Sequence, residues 1–254
     1  MRLWLPILVL ASIMVSAGTG RADQPAPASS PGSFRPLRLH FTRHAETVAN
    51  RTGVYNSRNL NVLSDEGELQ TERLTRKLLE GPRFDRVCVS PVPRAQKTIL
   101  PYLRKTGQVA QVWPALAECC WQKDHRPSLS ARLLEGRPVS IPPELSSHLT
   151  LDGAPSTRWY DDSSYSSGLL QVRRLVDQIR ETLGGSGLEV LMVGHSGNGS
   201  HMLELLMGRE PAGKIKVDNA EPTVLEENRG GTFRLLVLNG RRVGSGSPRS
   251  AADR

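Results

Sequence analysis

Two histidines, two arginines and one carboxylate stand where they could act together: Arg43 and His44, Arg94, Glu118 and His195. The set suits phosphoryl transfer without a metal. A transferring phosphoryl group carries charge on three equatorial oxygens, and guanidinium forks match such oxygens while keeping their proton. Arg43 and Arg94 would bind and neutralise it. A histidine ringed by cations is biased toward its neutral form, which frees a ring nitrogen to attack phosphorus and form a phosphohistidine. That role falls to His44, beside Arg43. His195 would donate a hydrogen bond to the same oxygens, and Glu118 would protonate the leaving alcohol. A rival arrangement uses Cys88 and Arg94, separated by five residues as in cysteine-dependent phosphatases, whose loop cradles phosphate with successive backbone N–H groups. Pro91 and Pro93 remove two such donors there, and no glycine supplies the turns.

These residues need a scaffold that brings them to one edge. Leu37, Leu39 and Phe41 alternate with Arg38, His40 and Thr42, which reads as a strand running straight into Arg43-His44. Residues 84–90 read as a second strand, delivering Arg94 on a strand-to-helix turn, and Val109 to Trp113 as a third, leading to Glu118. Val190 to Val193 is a continuous apolar run, fitting a parallel strand buried on both faces, and His195 follows it. Ligands of open α/β sheets bind at such C-terminal strand edges. Between the strands, Ser64 to Leu79 has a serine cap, an acidic first turn and a terminal Gly81-Pro82, the marks of a helix. Leu169, Val172, Val176, Ile179 and Leu183 make a helical stripe that Gly184-Gly185 terminates. Thr223 to Leu225 and Thr232 to Leu238 read as a closing hairpin. The prediction is a three-layer α/β/α sandwich with a mostly parallel sheet over residues 37–243, in which 119–167, rich in Pro, Ser and Gly, forms a cap or lid.

The stretches around these residues resemble the histidine phosphatase superfamily, the phosphoglycerate-mutase-like proteins, from about Leu37 to Leu238. Arg43-His44-Ala45-Glu46 is similar to the family's Arg-His-Gly-Glu signature, with Ala45 adding a methyl at the phosphate where the family has glycine. Leu63, Ser64, Gly67 and Gln70 match a second motif, Ser90, Arg94, Ala95 and Thr98 a third, and Gly194-His195-Ser196-Gly197 the second-histidine stretch. The resemblance implies a phosphatase or phosphomutase that needs no cofactor, with Asn50 and Ser196 joining Arg43 and Arg94 as phosphate contacts and His44, Glu118 and His195 catalytic. A catalytically silent phospho-ligand binder would be expected to lose His44 or Glu118, and both are present.

Charge and the N-terminus bear on the substrate. Thirty-three Lys and Arg against 25 Asp and Glu give net +8, but no run of five basic residues occurs and aromatics are only 5%, which argues against a nucleic-acid partner. A solvated basic surface accounts for this scattered excess, and an anionic small-molecule or glycolipid phosphomonoester substrate explains it at least as well as a nucleic acid would. Met1-Arg2, the apolar run from Leu3 and the small residues after it form a secretory signal pattern over 1–22, with cleavage after Ala17 or Ala22. The run is shorter than the roughly 20 residues a spanning helix needs, so no stable membrane insertion is expected after cleavage. Export to a bacterial periplasm or a eukaryotic secretory lumen follows, with a disordered linker at 23–36 and a disordered tail at 244–254. In an oxidising compartment three cysteines leave one unpaired, and any bridge would join Cys88 to Cys119 or Cys120, since neighbours bridge only with strain. His40 reads as a packed strand residue and His201 as structural, while His125 and His148 lie in no metal-ligand spacing. Arg126, Arg132 and Arg137 read as solvated surface or as a grip on a second anionic group.

Overall fold

The structure is a computed structural model that describes residues 34–121 and 135–244. Residues 1–33 with the signal pattern and most of the linker, residues 245–254 of the tail, and His125, Arg126 and Arg132 lie outside the described residues. Among the described residues eight strands form one sheet in the order β4-β3-β2-β5-β1-β6-β7-β8. The parallel half comprises β1 (Arg38–Arg43), β2 (Arg86–Val89), β3 (Ala110–Val112), β4 (Leu149–Thr150) and β5 (Glu189–Gly194). β6 (Pro222–Glu227), β7 (Phe233–Leu238) and β8 (Arg241–Arg242) continue it antiparallel from β1, and β6 and β7 pair as the expected hairpin.

Side chains of the central strands divide between two cores. Val190, Met192 and Cys88 enter one together with Leu39 and Phe41, while Leu191, Val193, Val87 and Val89 enter the other. A continuous apolar run is therefore what β5 requires, because both faces are covered. The first core is closed by α4 (Tyr165–Leu183) and α5 (Ser196–Leu206), and the second by α2 (Asp65–Glu80) and α3 (Pro93–Thr106). Each large core side chain removed fully from water, such as Phe41 or Ile99, contributes roughly 1.5–3 kcal/mol.

In β1 the alternation conceals the same two-sided burial. Thr42 is fully buried, and His40 pairs through Nε2 with Glu189 at 2.7 Å while its ring meets Phe84 edge-on. The described part of the 119–167 segment is also more integrated than its composition suggests. It supplies edge strand β4 beside β3, and Ile141, Leu145, Leu151 and Trp159 pack on the second core. All three cysteines are free and buried, so the Cys88 bridge does not form. Cys88 projects from β2 into the first core.

Candidate active site

The sheet order explains how distant residues meet. β5 lies between β1 and β2, so Arg43-His44, Ser90 and His195 leave three adjacent parallel strands at one edge. His44 N–H donates to the Gly194 carbonyl at 2.9 Å, and Ser90 N–H donates to Val193 at 2.9 Å. On the other side Asn219 Nδ2 donates to the His44 carbonyl at 2.7 Å, and Ala220 N–H to Arg43 at 2.9 Å. The His44 backbone is thereby held by β5 on one side and by the segment leading into β6 on the other.

His44 Nδ1–H donates to the Ala45 carbonyl at 2.8 Å, which leaves Nε2 with its lone pair. Arg94 Nε donates to that lone pair at 3.1 Å. Burial, then the Arg94 charge and, more weakly, the Arg43 charge hold the His44 pKa well below the ordinary histidine value, against the opposing Ala45 hydrogen bond. The ring is neutral and nucleophilic at neutral pH. Ala45 N–H donates to Thr98 Oγ1 (2.9 Å), which donates to the Arg94 carbonyl (2.8 Å), so one threonine ties the loop after His44 to the helix carrying Arg94. The expected methyl at the phosphate is not found there: Ala45 is fully buried in the second core, where a methyl adds apolar contact.

The second motif acts on this loop from behind. Glu46 N–H donates to Gln70 Oε1 (2.8 Å), Ser64 N–H to the Glu46 carbonyl (3.0 Å), and Ser64 Oγ–H to Glu46 Oε1 (2.6 Å). Ser64 Oγ also accepts from Gly67 N–H at 3.0 Å as the N-cap of α2. A Cβ on Gly67 would stand 2.0 Å from the Glu46 carbonyl oxygen, so only glycine permits this approach. Glu46 is a loop anchor. Asn50 is the third residue of α1 (Val48–Thr52), and its carboxamide oxygen accepts from Thr47 N–H at 3.2 Å in a capping box. The phosphate contact implied for it would fall to its –NH₂ end.

Arg94 is buried at the second position of α3, with Nη1 donating to Asn61 Oδ1 at 3.3 Å. Arg43 Nη1 donates to the Val217 carbonyl at 3.4 Å, and its buried Nε has no partner. Burial pulls both guanidinium pKa values down and the Glu118 charge opposes it; both stay protonated at neutral pH. The His195 ring lies 5.2 Å from that of His44. Its Nε2 meets Ser90 Oγ at 2.7 Å, whereas its buried Nδ1 has no partner. Burial, then Arg94, His44 and Arg43, hold His195 neutral too. Buried donors without partners cost about 1–3 kcal/mol each, and here they sit where an anion would supply the acceptors.

Glu118, whose charge reaches both arginines, is held by backbone donors. Its Oε1 accepts from Cys119 N–H (3.2 Å), Gly197 N–H (3.0 Å) and Asn198 N–H (3.1 Å), the last two from the first turn of α5 that Ser196 opens. A Cβ on Gly197 would lie 2.3 Å from the Cys119 carbonyl oxygen, so this close approach also needs glycine. Cys119 and Cys120 pack beside Gly168 of α4, their sulfurs 2.9 Å apart, and Cys120 takes a left-handed backbone with φ 67°. The cysteine mechanism has no support: Cys88 is fully buried, and burial pushes its thiol up to about 12.

The structure thus brings Arg43, His44, Arg94, Glu118 and His195 together around one site. Four further contributors carry no sequence signal of their own: Asn61 on Arg94, Asn219 on the His44 carbonyl, Tyr55 and Asp162. The Tyr55 phenol acts electrostatically on both arginines. Asp162 feels Glu118, and burial first, then Asp161 and Glu118, raises its carboxyl to about 6 against an opposing backbone hydrogen bond. His201 is structural as expected, its Nδ1–H donating to the Gly197 carbonyl (2.7 Å) and its Nε2 facing Tyr165 Oη (3.0 Å). Arg137 is exposed.

Known structures share this fold. The alpha-ribazole phosphatase from Shigella flexneri shares the fold at 23% identity, over 83% of this chain and 100% of its own, with a TM-score of 0.58. A mycobacterial glucosyl-3-phosphoglycerate phosphatase does so at 21% identity, over 81% and 99%, with a TM-score of 0.53. A phosphoserine phosphatase mutant from Entamoeba histolytica is similar at 18% identity, over 80% and 97%, with a TM-score of 0.52. No curated protein sequence matches the chain. The family model of the histidine phosphatase superfamily, branch 1, matches residues 39–240, and with most of the chain inside that match this protein belongs to the histidine phosphatase superfamily.

Proposed function

We propose that the protein is a phosphomonoester hydrolase of the histidine acid phosphatase type, exported, acting without a metal on an extracytoplasmic small-molecule or glycolipid phosphate. The observation that carries the reading is the His44 ring, anchored by Nδ1–H on Ala45 with Nε2 bare toward Arg94. When a phosphomonoester binds, Arg94 Nε turns from that nitrogen to a phosphoryl oxygen, and Arg43 and His195 take the others. Nε2 then attacks phosphorus in line, the P–O bond to the alcohol breaks, and Glu118 gives the alkoxide its proton. Water attacks the phosphohistidine next, losing its proton to Glu118, and inorganic phosphate leaves.

A phosphomutase would use the same residues, returning the phosphoryl group to an alcohol in place of water. The N-terminal signal pattern favours hydrolysis, because a glycolytic mutase belongs in the cytosol. Purified mature protein should be screened against alkyl, sugar, amino-acid and lipid phosphates for release of inorganic phosphate. Release with loss of all turnover in His44→Ala supports a hydrolase; ester-to-ester transfer without free phosphate would replace it with a mutase. Mass spectrometry of protein from its native host tests export, with an N-terminus at Gly18 or Asp23 expected and an intact Met1 in a cytosolic fraction refuting it.

A further inference from the structure

Ser90 follows directly on β2 and is fully buried, and its hydroxyl has two hydrogen-bond neighbours. Val92 N–H donates to Oγ at 3.2 Å, and His195 Nε2 lies 2.7 Å from the same oxygen. Val92 stands between Pro91 and Pro93, neither of which has an N–H, so it is the one backbone donor in that stretch. A serine hydroxyl holds one proton and two lone pairs, and an amide N–H can only donate. One lone pair is therefore taken by Val92. The proton then has His195 Nε2 as its acceptor among the described hydrogen bonds. The reverse arrangement, with Nε2–H donating to Ser90, would strand the hydroxyl proton in a buried site. It would also turn a bare Nδ1 lone pair toward the incoming anion.

We infer that Ser90 is a positioning residue that fixes His195 as its Nδ1–H tautomer, so that the second histidine offers a phosphoryl oxygen a proton donor. Both site histidines then carry their proton on Nδ1, but they present opposite ends. His44 gives its Nδ1–H to Ala45 and shows a bare Nε2, whereas His195 gives its Nε2 lone pair to Ser90 and shows Nδ1–H. One ring is the nucleophile and the other the donor because their backbone and hydroxyl partners differ, and neither needs an added proton. The role rests on the phosphoryl-transfer reading for its ligand; the tautomer does not.

The test is long-range proton–nitrogen NMR of ¹⁵N-histidine-labelled protein, with His195 assigned by its loss in His195→Asn, alongside kcat/KM on p-nitrophenyl phosphate. Wild type should show His195 protonated at Nδ1 with bare Nε2. Ser90→Ala should lose that preference and about 10- to 100-fold in kcat/KM, less than the 10²–10³-fold typical of deleting an oxyanion donor outright, because some rings still present Nδ1–H. Ser90→Thr keeps the hydroxyl and should restore both; if its added methyl prevents folding, the wild-type and Ser90→Ala spectra decide. A wild-type ring protonated at Nε2, a Ser90→Ala ring still held as Nδ1–H, or a lost tautomer with undiminished rate would each overturn the inference. An inactive wild type whose His195 tautomer still depends on Ser90 would refute the phosphatase reading and uphold the tautomer assignment.

Discussion

Gly67→Ala tests whether the second motif serves catalysis by holding the nucleophile's loop. The new Cβ would meet the Glu46 carbonyl oxygen at 2.0 Å, and reaching ordinary contact at 3.4 Å demands about 1.4 Å of separation between backbone segments. Neither is a flexible side-chain end. That movement breaks the Ser64 N–H bond to Glu46 (3.0 Å) and strains the Gln70 bond to Glu46 N–H (2.8 Å). Two such bonds contribute about 1 kcal/mol each. Residual overlap adds roughly 1–3 kcal/mol, and the better helix propensity of alanine returns up to about 1 kcal/mol. The expected loss of stability is about 2–4 kcal/mol. Because Glu46 lies two residues from His44, a displacement on the order of 1 Å should lower kcat about 100-fold. Urea unfolding and kcat on p-nitrophenyl phosphate, below the variant's unfolding temperature, measure both effects. Gly230→Ala, where nothing lies within 4 Å, is the control and should stay within about 0.5 kcal/mol. Stabilisation of Gly67→Ala, as an ordinary helix position would give, or an unchanged kcat would refute the clamp.

Two further outcomes follow from the site. Glu118→Gln should slow hydrolysis of alkyl phosphates about 10²–10⁴-fold and p-nitrophenyl phosphate far less, since only the alkoxide needs the proton; equal losses would reduce Glu118 to positioning, and Asp162 would be tested next. The pH dependence has a definite sign: His44 and His195 bind protons more weakly in the folded than in the unfolded chain, so their stabilisation is present above about 6.5 and declines as pH falls below it. Denaturation midpoints should drop from pH 7 to pH 5. The acid limb of kcat/KM should meanwhile lie well below 6.5, and a limb at 6.5 or above would mean that His44 is not held neutral.

Much of this site is legible in the sequence because its residues follow strands, and strand ends of a parallel sheet share one edge. Val190 to Val193 and the 169–183 stripe betray two-sided and one-sided burial directly, so β5 and α4 lie where the pattern puts them. What escapes is set by contacts between distant segments. Two-residue β4 has no periodicity to read, and its strand character comes from pairing with β3. Asn61, Asn219 and Asp162 lie in connecting segments, and nothing in their neighbours' residue types distinguishes them from surface polar groups. Ala45 reads as a phosphate-side methyl because a motif orders residues along the chain without saying which way a side chain faces; the fold turns it into the core. In the sequence Gly67 and Gly197 are motif positions without a stated reason, and the backbone approaches they allow become apparent only in three dimensions.

The proposed hydrolysis requires a covalent bond from His44 Nε2 to phosphorus. Brief reaction with ³²P-labelled phosphomonoester, followed by an alkaline quench and peptide mapping, should place an alkali-stable, acid-labile phosphoryl group on the peptide carrying His44. The adduct should vanish in His44→Ala. Label on Cys88, or turnover that persists without His44, would contradict it.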